Sequence, residues 1–216
     1  MKRAVVFDLD GTLLDTLDDL ADSGNTTLEK MGFPTHDAEA YKFFIGDGVG
    51  MLVHRMLPKN HRDDATKAEI TKVYRAEYGR RWNVKTRPYD GIDTLLDELA
   101  AREIRMGVLS NKPDEMTQKC VAALLPRWNF EAVLGHHDGI PRKPDPAGAL
   151  EVLVKLDVAA EDVLYLGDTA TDMETAVAAN FTPVGVLWGF RGEDELRNAG
   201  AETILAHPID LLELLV

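Results

Sequence analysis

Two carboxylates stand one residue apart at the end of an apolar run near the start of the chain. In the stretch AVVFDLDGTLLDT, residues 4–16, Asp8 and Asp10 follow the run Ala-Val-Val-Phe. A carboxylate is ionised at neutral pH and can attack phosphorus, so Asp8 could form an aspartyl-phosphate. Asp10 could protonate the leaving oxygen and then deprotonate the water that cleaves the intermediate. The pair is therefore a candidate for phosphoryl transfer, and two acidic residues that solvate a strand end are the alternative for this stretch taken alone.

Further polar residues follow other apolar runs. Ser110 and Asn111 end one run, Lys143 lies in RKPDP, and Asp168 and Asp172 lie in GDTATD. The first three, as hydroxyl, amide and ammonium groups, suit the non-bridging oxygens of a phosphate. Several carboxylates in one cleft repel one another, and a bound divalent cation removes that conflict. Oxygen-only ligands favour Mg²⁺, which shares a phosphate readily, so we expect Mg²⁺ as the cofactor.

A sheet must position these residues, and the chain alternates short apolar runs with helical patterns. The strand candidates are Ala4–Phe7, residues 106–109, 132–134, 163–166 and 183–187, and Thr203–Leu205. This alternation predicts an α/β fold with a doubly wound, mostly parallel sheet. Such sheets bind ligands at the carboxyl ends of their strands, so the polar residues are expected to converge on one rim.

One segment breaks the alternation. Residues 15–86 carry helical patterns, at 38–44, 49–57 and 65–82, and no convincing strand. We therefore predict two domains, an α/β core of residues 1–14 and 87–216 and an inserted all-helical domain of residues 15–86. The stretch NVKTRPYDG, residues 83–91, is expected to be the return hinge.

Composition narrows the class of function. The chain of 216 residues carries a net charge of −13, which disfavours nucleic acid as a main partner because phosphate backbones need a basic face. No apolar stretch approaches the roughly 18 residues that cross a membrane. The single cysteine, Cys120, is expected to be a buried, inert thiol. These features favour a soluble cytoplasmic protein. The partner that we expect is a small phosphorylated metabolite, and the expected protein is a monomer or a homodimer, between which the sequence does not choose.

Four motifs carry a resemblance to a known family. DLDGT, SNKPD, RKPDP and GDTATD, in this order, resemble the four motifs of the haloacid dehalogenase superfamily. The resemblance implies an HAD-like Rossmannoid core with Asp8 as the nucleophile, Asp10 as the general acid/base, and Ser110 and Lys143 as phosphate binders. The helical insertion after the first motif resembles the mobile C1 cap of that superfamily.

The same resemblance implies a magnesium site. Its ligands would be Asp8, the backbone carbonyl of Asp10, and Asp168, and Asp172 would complete the acidic motif in a supporting role. Dehalogenases of the superfamily lack an aspartate at the position of Asp10, so its presence favours phosphoryl transfer.

Within the superfamily, the chain is most similar to the phosphoglycolate phosphatases. FIGDGVGMLVHRML, residues 44–57, resembles their cap specificity segment, which implies substrate contacts for Gly48 and Arg55. Arg55 could bind a substrate carboxylate with two hydrogen bonds, and a solvated helix arginine is the alternative. The best single substrate is then 2-phosphoglycolate.

Other functions stay open on these motifs. A phosphomutase of the β-phosphoglucomutase type would use the same core and cap, and phosphatases for pyrophosphate, nucleotides or sugar phosphates would share the chemistry. A non-enzymatic aspartyl-phosphate switch is disfavoured, because a receiver domain of roughly 120 residues would not carry a helical insertion of about 70 residues.

Overall fold

The four apolar residues before Asp8 form the central strand of a parallel sheet. A computed structural model describes residues 2–215 and places Ala4–Phe7 in strand β1, whose four side chains are all fully buried. A strand that is covered on both faces has no reason to alternate apolar with polar residues. This is why the run is continuous and why it ends where the first carboxylate begins.

Six parallel strands make up this sheet. In chain order the strands are β1 (Ala4–Phe7), β2 (Leu14–Asp15), β3 (Arg87–Pro88), β4 (Arg105–Pro113), β5 (Ala132–His136), β6 (Val163–Gly167), β7 (Thr182–Val186) and β8 (Thr203–Leu205). The spatial order is β5-β4-β1-β6-β7-β8, while β2 and β3 form a separate pair. Every neighbouring pair of the large sheet is parallel. The predicted α/β class with a doubly wound parallel sheet is confirmed.

The sheet is covered by helices that follow its strands. The helices are α1 (Leu17–Lys30), α2 (Ala38–Phe44), α3 (Val49–Met56), α4 (Asp64–Arg81), α5 (Ile92–Ala101), α6 (Asp114–Leu124), α7 (Ala147–Leu156), α8 (Ala170–Ala178) and α9 (Glu193–Asn198). On one face, Val152 and Leu156 of α7 join a buried apolar cluster with Leu109 and Leu134 of the sheet. This burial stabilises the strands whose ends carry the polar residues.

The chain divides into two compact units. One comprises the chain up to Leu14 and from Pro88 onward, and the other is Asp15–Arg87. The second unit contains α1 to α4. Its buried Asp19 accepts hydrogen bonds from the backbone N–H groups of Lys85 and Thr86 and from the Thr86 hydroxyl. One carboxylate thus ties the end of this unit to its first helix. The predicted roles of the two domains, a catalytic core and a mobile cap, remain predictions.

Strand β4 is longer than the sequence pattern predicts. It continues to Pro113, whereas the pattern ends at residue 109 because Ser110, Asn111 and Lys112 are polar. These three residues are nevertheless buried. The pairing of β4 with β5 shifts register between Leu109 and Pro113, and such a bulge redirects side chains at the end of a strand.

Two further predictions concern the single cysteine and the membrane. Cys120 is fully buried in α6, and burial raises the pKa of its thiol to about 11, as expected for an inert thiol. Across residues 2–215, every helix is too short or too polar to cross a bilayer. The predicted cytoplasmic location and oligomeric state remain predictions.

Candidate active site

The end of β1 lies between the ends of β4 and β6. Phe7 is level with Val108 on one side and with Leu166 on the other. Asp8 therefore emerges beside the residues that precede Ser110 and Asp168. After β1 the chain continues to β4 on one side, whereas β6 on the other side is reached from β5, so the strand order reverses at β1. Open α/β sheets bind ligands at this type of position.

Lys143 enters this rim from the loop between β5 and α7. Its Nζ lies 2.8 Å from Oδ1 of Asp8 and 2.6 Å from Oδ1 of Asp172. It also donates to the carbonyl oxygen of Leu109 and the hydroxyl of Tyr165, each at 3.2 Å. Burial alone would lower the pKa of Lys143, but the attraction of Asp172 and Asp8 raises it well above its usual value. The two carboxylates thus favour the charged form of this buried lysine.

Asn111 holds the backbone of Lys143 in place. The Asn111 side chain accepts a hydrogen bond from the Lys143 N–H at 2.9 Å and donates to the Lys143 carbonyl oxygen at 3.2 Å. The peptide bond between Lys143 and Pro144 is cis. Because its side-chain amide is used in this way, the phosphate contact predicted for Asn111 would fall to its backbone N–H.

Ser110 is buried at the end of β4, with 5% of its surface exposed. Its Oγ accepts a hydrogen bond from the backbone N–H of Lys112 at 3.3 Å. A serine hydroxyl has one donor and two acceptor positions, so Ser110 can accept this hydrogen bond and still donate its own hydrogen to another group. The geometry is compatible with the predicted contact between Ser110 and a phosphate oxygen.

Asp168 follows β6 and is held by two loops. Its Oδ1 accepts from the Thr12 hydroxyl at 3.2 Å, and its Oδ2 accepts from the backbone N–H of Phe190 at 2.8 Å. A Cβ at Gly11, where φ is +91°, would lie 2.3 Å from Oδ2 of Asp168. A Cβ at Gly189 would lie 2.3 Å from the Asp168 Cβ. Glycine is therefore needed on both sides of this carboxylate.

Asp172 already uses both of its oxygens within the protein. Oδ2 accepts from the N–H and the hydroxyl of Thr169 at 3.0 and 2.7 Å, which is the capping box of α8. Oδ1 accepts from Lys143. This arrangement fits the supporting role that the sequence predicts for Asp172.

The three acidic residues form a cluster that could hold a metal ion. Asp8, Asp168 and Asp172 are buried, and one oxygen of each lies within 4.8 Å of the others. Burial raises the pKa of Asp8 to about 7 although Lys143 opposes the shift, and burial raises that of Asp168 well above its usual value. Ionisation of all three carboxylates beside the Lys143 ammonium would leave an excess of two negative charges, which is the state that burial opposes. A divalent cation has the charge that this donor set lacks.

The Asp10 carboxylate lies outside that cluster. Its Oδ1 and Oδ2 accept hydrogen bonds from Nζ of Lys112 at 2.8 and 2.9 Å. The predicted metal contact of Asp10 concerns its backbone carbonyl, and its carboxylate remains a candidate for proton transfer. The two carboxylates of the DLD motif are therefore held by two different lysines.

Sequence reasoning missed several residues at this rim. Lys112 follows Ser110 by two positions and could have been found from its place inside the SNKPD motif. Tyr165 looked like part of a buried strand, and its hydroxyl contact with Lys143 has no local signal. The segment after β7 also contributes, since Trp188 Nε1 donates to the carbonyl oxygen of Thr12 at 2.9 Å.

The two predicted substrate contacts of the helical unit lie close together in that unit. Gly48 has φ of +83° and precedes α3, and Arg55 lies near the end of the same helix. The Arg55 guanidinium forms an ion pair with Asp47 and donates to the carbonyl oxygen of Phe44 at 3.3 Å. Arg55 thus braces the turn before α3, and its contact with a substrate carboxylate remains a prediction.

The α/β fold gathers acidic and basic side chains at the carboxyl ends of its parallel strands, where sheets of this class bind ligands. Comparison with known proteins identifies the family. The family model described as haloacid dehalogenase-like hydrolase matches residues 5–186. The chain belongs to the haloacid dehalogenase-like hydrolase family. The predictions of this superfamily and of an enzyme are confirmed.

Individual relatives agree with this assignment. The chain is 36% identical over 200 residues to a phosphoglycolate phosphatase of Rhodospirillum rubrum, covering 89% of this chain and 83% of that protein. It is 30% identical over 213 residues to a phosphoglycolate phosphatase of Aquifex aeolicus, covering 99% and 96%. A crystal structure from Lactobacillus delbrueckii subsp. bulgaricus, of a candidate phosphoglycolate phosphatase, superposes with a TM-score of 0.94 at 30% identity, covering 100% and 99%.

Proposed function

We propose that this chain is a phosphatase that transfers the phosphoryl group of a small phosphate monoester first to Asp8 and then to water. The single observation that carries the proposal is the position of Asp8. Its carboxylate stands at the tip of the central strand, 2.8 Å from the ammonium of Lys143 and within 4.8 Å of two further carboxylates. An acceptor for an anionic phosphoryl group needs this combination of a nucleophile with cationic neighbours.

The substrate we propose is 2-phosphoglycolate. The names of relatives at 30% and 36% identity support this choice, because they cover most of the chain. The resemblance of residues 44–57 to the cap specificity segment of that family supports it as well. We propose in the same way that the helical unit is a C1-type cap and that Gly48 and Arg55 contact the substrate.

We propose Mg²⁺ as the cofactor. Asp8, Asp168 and the backbone carbonyl of Asp10 would bind it, and Asp172 would support Lys143 and the start of α8. When bound, Mg²⁺ supplies positive charge that offsets the carboxylates and the phosphate. The hard oxygen donors of the buried cluster support this choice.

The protein's own residues then divide the reaction into two steps. In the first, an oxygen of Asp8 forms a bond to phosphorus while the ester oxygen leaves with a proton from Asp10. In the second, Asp10 accepts a proton from water, the water oxygen bonds to phosphorus, and the bond to Asp8 breaks. The Ser110 hydroxyl, the Asn111 N–H and Lys143 would bind the non-bridging oxygens throughout.

Phosphate release from a panel of metabolites, with and without Mg²⁺, tests the substrate. We expect the highest kcat/KM with 2-phosphoglycolate, and loss of activity when the metal is chelated. A higher value for pyrophosphate, a nucleotide or a sugar phosphate would overturn the substrate. Isomerisation of glucose 1-phosphate without phosphate release would overturn the phosphatase in favour of a mutase.

The nucleophile is tested by chemical trapping. Borohydride reduces an acyl phosphate, so the wild-type enzyme quenched during turnover should carry homoserine at position 8. Asp8→Asn should lose both the trapped product and turnover while keeping its circular dichroism spectrum. Turnover by Asp8→Asn above the contaminant level would contradict the assignment.

The proposed contact between Arg55 and a substrate carboxylate is tested by comparing a variant of Arg55 with a variant of its ion-pair partner Asp47. Arg55→Lys should raise KM for 2-phosphoglycolate and leave KM for a phosphate ester without a carboxylate unchanged, because lysine loses the paired hydrogen bonds. Asp47→Asn is the matched control, since it weakens the brace and keeps the guanidinium. Equal changes in KM for both esters would contradict carboxylate binding by Arg55.

A further inference from the structure

Lys112 contacts Asp10 across 102 positions of sequence. Its Nζ lies 2.8 and 2.9 Å from the two carboxylate oxygens, so the ammonium bridges both. The Lys112 side chain is 4% exposed and that of Asp10 is 13% exposed. A lysine so deeply buried is unusual, and its charge requires a partner of this kind.

The backbone of Lys112 is itself anchored. Its N–H donates to Oγ of Ser110 at 3.3 Å, and its carbonyl oxygen accepts from the hydroxyl of Thr117 in α6 at 3.3 Å. The residue also lies in the part of β4 where the register with β5 shifts. The ammonium therefore reaches Asp10 from a fixed origin that is shared with the predicted phosphate-binding hydroxyl.

Asp10 depends on this contact for its orientation. Among residues 2–215, Lys112 is the only side chain that hydrogen-bonds to the Asp10 carboxylate. Asp10 lies just outside the regular pairing of β1, beside Gly11 with its positive φ. Without Lys112, the carboxylate would lose these two hydrogen bonds, which fix its orientation within its partly buried position.

We propose that Lys112 is a positioning residue that orients the Asp10 carboxyl group for both proton transfers. The proposal rests on the proposed phosphatase function. The two lysines then have separate roles. Lys143 contacts the nucleophile Asp8, and Lys112 orients the acid/base Asp10. Loss of Lys112 should slow the steps that need Asp10 and leave substrate binding nearly intact.

Two substrates separate these steps. Release of p-nitrophenolate from p-nitrophenyl phosphate needs little help from an acid, whereas hydrolysis of the phospho-enzyme still needs Asp10 as a base. Lys112→Met removes the ammonium and keeps the length and flexibility of the side chain. We expect a pre-steady-state burst of roughly one nitrophenolate per active site, followed by turnover about 10–100-fold slower than in the wild type. With 2-phosphoglycolate, kcat should fall by a similar factor and KM should change less than about threefold.

Matched variants make the result decisive. Lys112→Arg keeps a cation that can contact both oxygens and should recover part of the lost kcat. Lys119→Met, the same change at an exposed lysine of α6, should leave the rates and the burst unchanged. Asp10→Asn should show the same burst as Lys112→Met.

The opposite outcomes are equally clear. A raised KM with unchanged kcat would make Lys112 a substrate-binding residue and overturn the proposal. Equal losses in both steps without a larger burst, or wild-type kinetics of Lys112→Met, would overturn it too. Failure of the proposed phosphatase function has a different signature, because the wild-type enzyme would then release no phosphate and carry no trapped acyl phosphate on Asp8.

Discussion

The ammonium of Lys143 lies 2.8 Å from Oδ1 of Asp8, although 135 positions of sequence separate the two residues. The same ammonium lies 2.6 Å from Asp172, so one buried cation serves two carboxylates. The Asn111 side chain holds the backbone of Lys143 at both of its polar groups. The pair Lys143–Asp8 is therefore the product of three separate chain segments, and the following predictions test how they depend on one another.

Replacing Lys143 should destabilise the metal-free protein. In Lys143→Met the buried carboxylates of Asp8 and Asp172 lose their shared cation, and removing one partner of a buried pair costs about 3–5 kcal/mol. Urea unfolding at neutral pH in the presence of a chelator measures this. Lys155→Met is the control, because it breaks only a surface i,i+4 pair with Glu151 and should change the free energy by less than about 0.5 kcal/mol. Equal stability of the two variants would contradict the buried-cation account.

Replacing Asp168 should have the opposite effect on the metal-free protein. Its pKa is raised in the folded state, so folding favours the protonated form, and stability falls as pH rises above the ordinary value of 3.8. Asp168→Asn removes that penalty, because the amide carries no charge at any pH in this range. Asparagine can still accept from the Phe190 N–H and donate to the Thr12 hydroxyl.

Thermal melts with chelator at pH 5 and pH 8 measure this. The fall in Tm from pH 5 to pH 8 should be smaller for Asp168→Asn than for the wild type. The wild type should regain stability on addition of Mg²⁺, and the variant should not, because a proposed ligand is gone. A variant that melts lower than the wild type at pH 8 without metal would refute the charge-repulsion argument.

A methyl group at Gly11 should disturb Asp168. The new Cβ would lie 2.3 Å from Oδ2 of Asp168, and φ at Gly11 is +91°. Gly11→Ala should lower kcat at least about 100-fold, since the carboxylate must move by a large fraction of an ångström or more. Gly32→Ala is the matched control: its φ is +73°, but nothing lies within 4 Å of the new Cβ. It should cost about 1 kcal/mol of stability and leave kcat unchanged.

Asp19 should be the more important of two neighbouring acids in the helical unit. Its buried carboxylate accepts hydrogen bonds from the backbone N–H groups of Lys85 and Thr86 and from the Thr86 hydroxyl. Asp19→Ala leaves those buried donors unpaired and should destabilise the protein by about 2–4 kcal/mol. Asp22→Ala removes only a half-exposed ion pair with Lys85 and should cost much less than Asp19→Ala, because solvent screens the pair. Calorimetric or urea unfolding of both variants compares them, and a larger loss in Asp22→Ala would contradict the assignment.

The main elements of the fold could be predicted because their signals are local. Buried strands are continuous apolar runs, and helices repeat apolar residues at 3.6-residue spacing. The predicted end of β4 was wrong because the pattern was read from polarity alone. Ser110 to Lys112 are polar, yet the strand continues through them and their side chains are buried. Asp8, Asp10 and Asp168 could be found as candidates, because parallel strands direct their carboxyl ends to one rim.

The partner of each charged side chain could not be predicted. Lys112 pairs with Asp10, and Lys143 pairs with Asp8 and Asp172, over separations of 102, 135 and 29 residues. The sequence by itself determined which residues carry charge, which runs are strands, and the order of the four motifs. Only the tertiary structure decided which lysine meets which aspartate, that Asn111 holds a backbone, and that Gly11 and Gly189 enclose Asp168. Local composition sets what each segment can form, whereas a contact between distant side chains depends on the packing of all the segments between them.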